Sequence, residues 1–231
     1  MFDRLGRLLT ATPRVVLDLG CGTGAMARRL TDIAERVDAL DVSASMVEAG
    51  KRLPGGDDPR LRWMVGRAED APLDPPYALV TAAASLHWMD WPVVLPRLAQ
   101  VLTSDGILVI IDDGQEPPPW QADLVRIILQ HTTNPTLDLT YDWIADLERQ
   151  GWFRPIGRER TPAVPFRQSV EAYVESFHGR ASFAREHMGA RNAATFDAAV
   201  RALVTGHKAD EVQLQVFANI IWGRPLLPRE R

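Results

Sequence analysis

The sequence predicts an α/β protein built on a doubly wound, mostly parallel sheet, with a helical cap drawn from the C-terminal half. Two observations carry this. Apolar runs long enough for buried strands alternate with helical segments from about residue 14 to residue 111, the pattern of a parallel sheet covered on both faces. The first run, Val15-Val16-Leu17-Asp18-Leu19, passes into Gly20-Cys21-Gly22-Thr23-Gly24 and then a segment of helical character. Glycines at a strand-to-helix turn let a ligand approach the backbone closely, because no Cβ intervenes and positive φ is accessible. A nucleoside-containing cofactor is the expected occupant.

The elements follow in order. Phe2 to Leu9 forms a short amphipathic helix stopped by Ala11-Thr12-Pro13. Strand 1 covers about 14–19, a helix about 24–35, and strand 2 Val37–Leu40, with Asp41 closing it. Ser43 or Ser45 caps the helix that carries Met46, Val47 and Ala49. Residues 54–59 are a loop on composition. Strand 3 is Leu61–Val65, ending at Gly66, and strand 4 is Ala78–Ala83, after Pro75-Pro76. A helix over about 93–102 and a turn at Ser104-Asp105-Gly106 lead into strand 5, Ile107–Ile111.

After the break at Pro117-Pro118-Pro119, helices are expected around 124–129 and 140–149. Residues 152–164 are strand-like but interrupted by prolines, 169–177 and 195–204 are helical, and the alternation over 211–222 makes a terminal strand. Two late strands bring the expected sheet to seven. The expectation is a single domain over 1–231, with a cofactor core at about 14–113 and the cap and final strands at about 114–224.

Composition narrows the function. Hydrophobic residues make up 46% and charged ones 24%, ordinary for a globular protein. A net charge of −4 gives no electrostatic reason to expect nucleic acid or an anionic membrane as partner. The N-terminus carries charges through its apolar patch, unlike a signal peptide, and no 18 consecutive residues are apolar, so a cytoplasmic protein without a membrane span is expected. Cys21 is the single cysteine and reads as a small packed residue of the turn, with no disulfide partner. His131, His178, His187 and His207 are dispersed without ligand spacing, so no metal is expected. Monomer and homodimer are both compatible with the sequence.

Spacing discriminates between cofactors. Dinucleotide sites favour G-x-G-x-x-G, whereas here the third glycine falls one place early, at Gly24, with Ala25 after it. Asp41, 17 residues beyond Gly24, can accept from both hydroxyls of a ribose in either cofactor class. Asp18-Leu19-Gly20-Cys21-Gly22-Thr23-Gly24 with Asp41 resembles the cofactor site of the class I S-adenosylmethionine-dependent methyltransferases. Gly66-Arg67-Ala68-Glu69-Asp70-Ala71-Pro72-Leu73 resembles that family's segment after strand 3. Ser85-Leu86-His87-Trp88-Met89-Asp90 resembles the A-L-H-W-F-D segment of small-molecule members such as trans-aconitate methyltransferase-like proteins. Val101–Gly106 resembles its approach to strand 5. The resemblance covers residues 14–113 in detail and the remainder in general arrangement.

The resemblance implies a Rossmann-like methyltransferase fold with strand order 3-2-1-4-5-7-6, the last strand antiparallel. S-adenosylmethionine is the implied cofactor and a small molecule the implied acceptor. Gly20, Gly22 and Gly24 would pass under methionine and ribose, and Asp18 would hold the turn and act on the methionine ammonium through water. Asp41 would bind the ribose diol and Met46 the adenine face. Arg67, Ala68 and Glu69 stand where the family meets the adenine edge, and Ala83 would line the methionine moiety through its backbone. Arg67 departs from the acid usual at its position, Ala78 from the acid usual at the start of strand 4. Thirteen residues precede strand 1 where relatives carry a longer leader over the cofactor. The site is then more open, or closed by the C-terminal helices, or the start codon is misassigned.

On the acceptor side, residues 85–91 and about 117–190 are expected to form a pocket, with Trp88, Trp91 and Trp120 as walls, Tyr141 and Trp143 on the cap, and His87 facing the methyl group. His87 is the candidate base, needed for a hydroxyl or amine acceptor but not for a carboxylate. Asp112-Asp113 reads as a solvated turn. Two rival functions are a non-catalytic methyltransferase-like binding protein and a nicotinamide-dependent oxidoreductase, which would want a Tyr-x-x-x-Lys motif that is absent.

Overall fold

Strand burial follows from the apolar runs. The computed structural model describes residues 1–207 and 211–227. In it β1 (Val15–Leu19) is buried at every position, as a central parallel strand covered on both faces requires. It pairs in parallel with β2 (Arg36–Asp41) on one side and β4 (Tyr77–Ala83) on the other. β3 (Leu61–Val65) flanks β2, and β5 (Leu102–Gln115) flanks β4, both in parallel. The remaining strands are β6 (Phe153–Arg160), β7 (Val164–Ser169) and β8 (Glu211–Pro225). The path runs β3-β2-β1-β4-β5-β8-β6, with β8 antiparallel to β6 and, through its first half, to β7.

The expected order is observed, with one correction: the described residues form eight strands, not seven. β7 escaped the sequence reading because Val164 and Phe166 are exposed, leaving no burial alternation, and Pro165 interrupts it. Proline is tolerated there because its missing N–H costs little on an edge strand.

Side chains alternate across the strands and fill two layers. Leu17, Leu19, Val80, Ala82, Leu108 and Ile110 point to one face, with Leu86, Leu95, Ile144 and Leu147 packed on them. Val16, Val37, Leu79, Val109 and Ile111 point to the other, against Leu5, Leu30 and Ile220. The helices that supply these contacts are α1 (Phe2–Leu8), α2 (Ala27–Leu30), α4 (Trp91–Val101) and, later in the chain, α6 (Trp143–Arg149), while α3 (Ala44–Lys51) packs beside β2 and β3.

Two local departures have physical causes. The helix expected over 24–35 is α-helical only at α2, and Thr31 Oγ1 donates to the Arg28 carbonyl (2.8 Å), diverting an acceptor from the helical ladder. The turn expected at 104–106 lies within β5, where Leu102 pairs with Tyr77 and Ile107 with Leu79, so the intervening residues bulge from the sheet. Asp112 and Asp113 belong to the same strand rather than to a turn.

Residues cluster into two compact units. The first comprises Met1–Asp113, Asp142–Thr161 and the chain from Ala218; the second comprises Gly114–Tyr141 and Pro162–Phe217. Residues 142–161 cluster with the first unit, because α6 buries Ile144 and Leu147 there and β6 extends the sheet. The second unit holds α5 (Gln121–His131), α7 (Val170–His178), α8 (Arg185–Met188), α9 (Ala190–Gly206) and β7 around its own core of Leu124, Tyr173, Phe177 and Phe196.

Candidate cofactor and acceptor site

The site is built at the carboxyl ends of β1, β2 and β4, where an open α/β sheet leaves a crevice. Gly20 follows β1 with φ +68°, and a Cβ there would lie 2.5 Å from Ser85 Cβ. The amides of Gly20 and Cys21 donate to the Leu40 carbonyl, tying the turn to β2 (2.8 and 3.0 Å). Asp41 then bridges two segments: one carboxylate oxygen accepts from the Gly22 amide at 2.7 Å and the other from the Ser43 amide at 2.8 Å. Of the two candidate caps, Ser43 caps α3, its side chain accepting from Met46 N. Each Asp41 oxygen keeps a further lone pair, which suits a vicinal diol.

Asp18 sits beneath the turn, 1% exposed. Its Oδ1 accepts from the Thr81 hydroxyl (2.7 Å), while Oδ2 has no hydrogen-bond partner. Burial pushes the carboxyl up to about 6, with the Thr81 hydroxyl and the Ala27 amide acting in the opposite sense. A buried carboxylate oxygen without a donor fits the ammonium of an amino-acid moiety, directly or through one water. A glycine turn, a diol acceptor and this carboxylate together match a nucleoside joined to an amino acid.

A cavity of about 550 Å³ opens over these groups, within the range of small-molecule sites. Gly20, Asp41, Arg67, Ala68 and Glu69 line it, together with Leu40, Val42, Gly66, Ala84, Ser85, Trp88 and Met89. Ala84 has φ 49°, a strained left-handed conformation for a residue with a side chain. It is held by its amide on the Ile111 carbonyl (2.9 Å) and by Ser85 Oγ on the Leu19 carbonyl (2.6 Å). Glu69 accepts from the Asp90 amide (3.1 Å) and pairs with Arg67 (3.3 Å). Burial raises its carboxyl, yet the Asp90 amide and Arg67 together hold it below the usual range. Arg67 therefore serves Glu69. Arg97 on α4 donates to the carbonyls of Ala68 (2.6 Å) and Ala71, clamping this segment from behind.

The other expected residues, Asp18, Gly22, Gly24, Met46 and Ala83, do not line this cavity. Gly22 and Met46 adjoin one another: a Cβ on Gly22 would lie 3.6 Å from Met46 Cε. Gly24 faces Trp63, and Ala83 ends β4 just before the lining residue Ala84. Leu40, Val42, Ala84, Ser85, Trp88, Met89 and Arg97 were not singled out as cofactor contacts from sequence. Of these, 85–89 lay inside the recognised Ser85–Asp90 segment, while Arg97 reads as an ordinary helix arginine.

His87 lies in a single 3₁₀ turn, Leu86–Trp88. Its ring centroid is 5.1 Å from that of Trp88 and 5.5 Å from that of Trp143 on α6; Trp143 in turn lies 6.2 Å from Trp91. His87 is exposed, and partial desolvation pulls it below the usual imidazole value, against the opposing pull of Asp112 and Asp113. Asp112 is raised, first by burial and then by Asp113. Trp120 is a correction to the expected aromatic wall. It is 5% exposed in the core of the second unit, where its Nε1 donates to the Tyr173 hydroxyl at 3.3 Å. Tyr141 also belongs to the second unit.

Residues 16–106 match the family described as Methyltransferase domain. An uncharacterized methyltransferase of Mycobacterium tuberculosis is 33% identical over 123 residues, 52% of this chain and 49% of that protein. The trans-aconitate 2-methyltransferase of Methylobacterium nodulans is 37% identical over 125 residues, 50% of this chain and 45% of that protein. The match thus spans about half the length of these curated relatives. A solved structure assigned provisionally as a type II methyltransferase, from Anaeromyxobacter dehalogenans, superposes with a TM-score of 0.66 at 22% identity, covering 98% of this chain and 95% of that one.

Proposed function

We propose that this chain is a class I methyltransferase that binds S-adenosylmethionine and directs methyl transfer to a small-molecule acceptor, a reading supported by the methyltransferase-domain match over residues 16–106. The observation that carries the reading is Asp41, held across the Gly22 and Ser43 amides at the floor of the cavity with acceptor capacity to spare.

The cofactor, when bound, supplies an electrophilic methyl group on a sulfonium. The residues supply position. Asp41 would fix the ribose and the Gly66–Glu69 segment the adenine, while the Asp18 carboxylate would take the ammonium. Trp88 and Met89 would then border the space where an acceptor meets the methyl group. Methyl transfer needs alignment and exclusion of water more than covalent help, and orientation alone is worth up to roughly 7–11 kcal/mol. His87 is the group able to take a proton from a hydroxyl or amine acceptor. No helix among the described residues is long and apolar enough to cross a membrane, and the charge balance favours a small acceptor over nucleic acid.

Isothermal titration with S-adenosylhomocysteine, S-adenosylmethionine and NADH tests the reading. Saturable binding of the first two and none of NADH is expected. NADH binding alone would establish the oxidoreductase alternative instead. Binding without turnover on any acceptor would favour the binding-protein alternative.

A further inference from the structure

We propose that the acceptor is an amine which arrives protonated, its cationic end received by the indoles of Trp88 and Trp143 and by the Asp112 carboxylate. The proposal rests on methyl transfer being the reaction. It begins from the aromatic surface beside the cavity. The rings of His87, Trp88, Trp143 and Trp91 form one continuous series with centroids 5.1 to 6.2 Å apart. Trp91 is pinned by its Nε1 on the Leu86 carbonyl (2.9 Å), and Trp143 opens a helix capped by Asp142. Trp88 nevertheless stays 67% exposed at the cavity lining. An indole left open there presents the negative face of its quadrupole, which attracts cations and not carboxylates.

Strand geometry sets the sign of the neighbouring charge. Alternation along β5 sends Asp112 to the same face as Leu108 and Ile110, the face that carries Leu86 and α6. The Ala84 amide on the Ile111 carbonyl fixes that strand end next to the turn bearing His87. The charged groups acting on His87 are Asp112 and Asp113; those acting on Asp112 are Asp113, His87 and Asp142. Asp112 on that face, with Asp113 across the strand and the helix-capping Asp142 adding to the negative field, would repel an anionic acceptor and attract an ammonium, so the arrangement discriminates by repulsion as well as attraction.

The chemistry balances. The ammonium passes one proton to neutral His87, whose partial desolvation favours the uncharged ring. The freed nitrogen lone pair forms a bond to the methyl carbon as the carbon–sulfur bond breaks. That bonding pair stays on sulfur, the sulfonium becomes a thioether, and the product leaves as a methylated ammonium.

The test uses the full chain saturated with S-adenosylhomocysteine and two probes of similar shape and opposite charge, benzyltrimethylammonium and phenylacetate. Both are followed by calorimetry and by quenching of tryptophan fluorescence. The cation should bind, with phenylacetate at least about tenfold weaker. Asp112→Asn should weaken the cation about fivefold, and Trp88→Leu about three- to thirtyfold. Trp88 is exposed enough that its replacement leaves folding intact, and far-ultraviolet circular dichroism and melting temperature verify both variants. Equal or tighter binding of phenylacetate, or unchanged cation affinity in both variants, overturns the amine assignment while leaving methyl transfer standing. A wild-type protein that binds S-adenosylhomocysteine but not the cation does the same. Failure to bind S-adenosylhomocysteine overturns both readings.

Discussion

Trp63 occupies the space that a side chain on Gly24 would need: a Cβ built on Gly24 would overlap Cη2 of the indole. The same ring edge lies 2.5 Å from where a Cβ on Gly50 would be, and its Nε1 donates to the Gly56 carbonyl at 2.8 Å. One indole on β3 therefore sets the spacing between the glycine turn and α3. Gly24→Ala should destabilise the protein by about 1–3 kcal/mol, the usual cost of overpacking, with added strain from its φ of +74°. A double variant, Gly24→Ala with Trp63→Leu, should be less destabilised than the sum of the two single changes. Denaturant midpoints measure both, and strict additivity would show that the two residues are not coupled.

Asp18 is expected to trade stability for binding. Its folded-state value of about 6 lies above the ordinary carboxylate value near 3.8. The native state therefore holds the proton more tightly than the unfolded chain, and stability falls as pH rises from about 4 to about 6, then levels off. Asp18→Asn should remove that fall. It should raise ligand-free stability at pH 7 by up to about 3 kcal/mol, since each tenfold gain in proton affinity on folding corresponds to roughly 1.4 kcal/mol. It should at the same time weaken S-adenosylmethionine. Thermal melts across pH, with and without ligand, separate the two effects; a variant less stable than wild type at pH 7 would contradict this account of Asp18.

Asp41→Ala should weaken S-adenosylhomocysteine by about 1.5–3 kcal/mol, the range for hydrogen bonds to a charged group. Calorimetry on the folded variant is the check, and undiminished affinity would remove Asp41 from the site.

His87→Ala should lower kcat while leaving S-adenosylmethionine affinity within a factor of about two, because a group acting on the acceptor's proton contributes to the transition state. A base works unprotonated, so the rate should rise with pH. Because partial desolvation lowers His87, that limb should reach its plateau below the ordinary imidazole range near 6.5. The limb should vanish in the variant. An unaltered pH profile and rate would reduce His87 to packing.

What could be read from the chain alone was what depends on neighbours in sequence. The β1 run, the glycine spacing and Asp41 are local, and each stands where it was expected at the sheet's carboxyl edge. The choice of Ser43 over Ser45 as cap was not legible, because the Ser43 amide is also drawn onto Asp41. The Ser85–Asp90 segment was visible, but a single 3₁₀ turn decides that Trp88 and Met89 face the cavity while His87 lies on Trp143. Trp120 was misplaced because its partner, Tyr173, is 53 residues away. Arg97 holds carbonyls at Ala68 and Ala71, and nothing in its helical surroundings signals that.

The Asp41 bridge has a thermodynamic meaning beyond geometry. With one oxygen on Gly22 N and the other on Ser43 N, both side-chain torsions are already immobilised in the ligand-free protein. Freezing such a side chain during association ordinarily costs about 0.5–1.5 kcal/mol. Here that entropy is lost during folding instead, so the carboxylate would meet a ribose diol preorganised, and the hydrogen bonds it formed would appear nearly undiminished in the affinity.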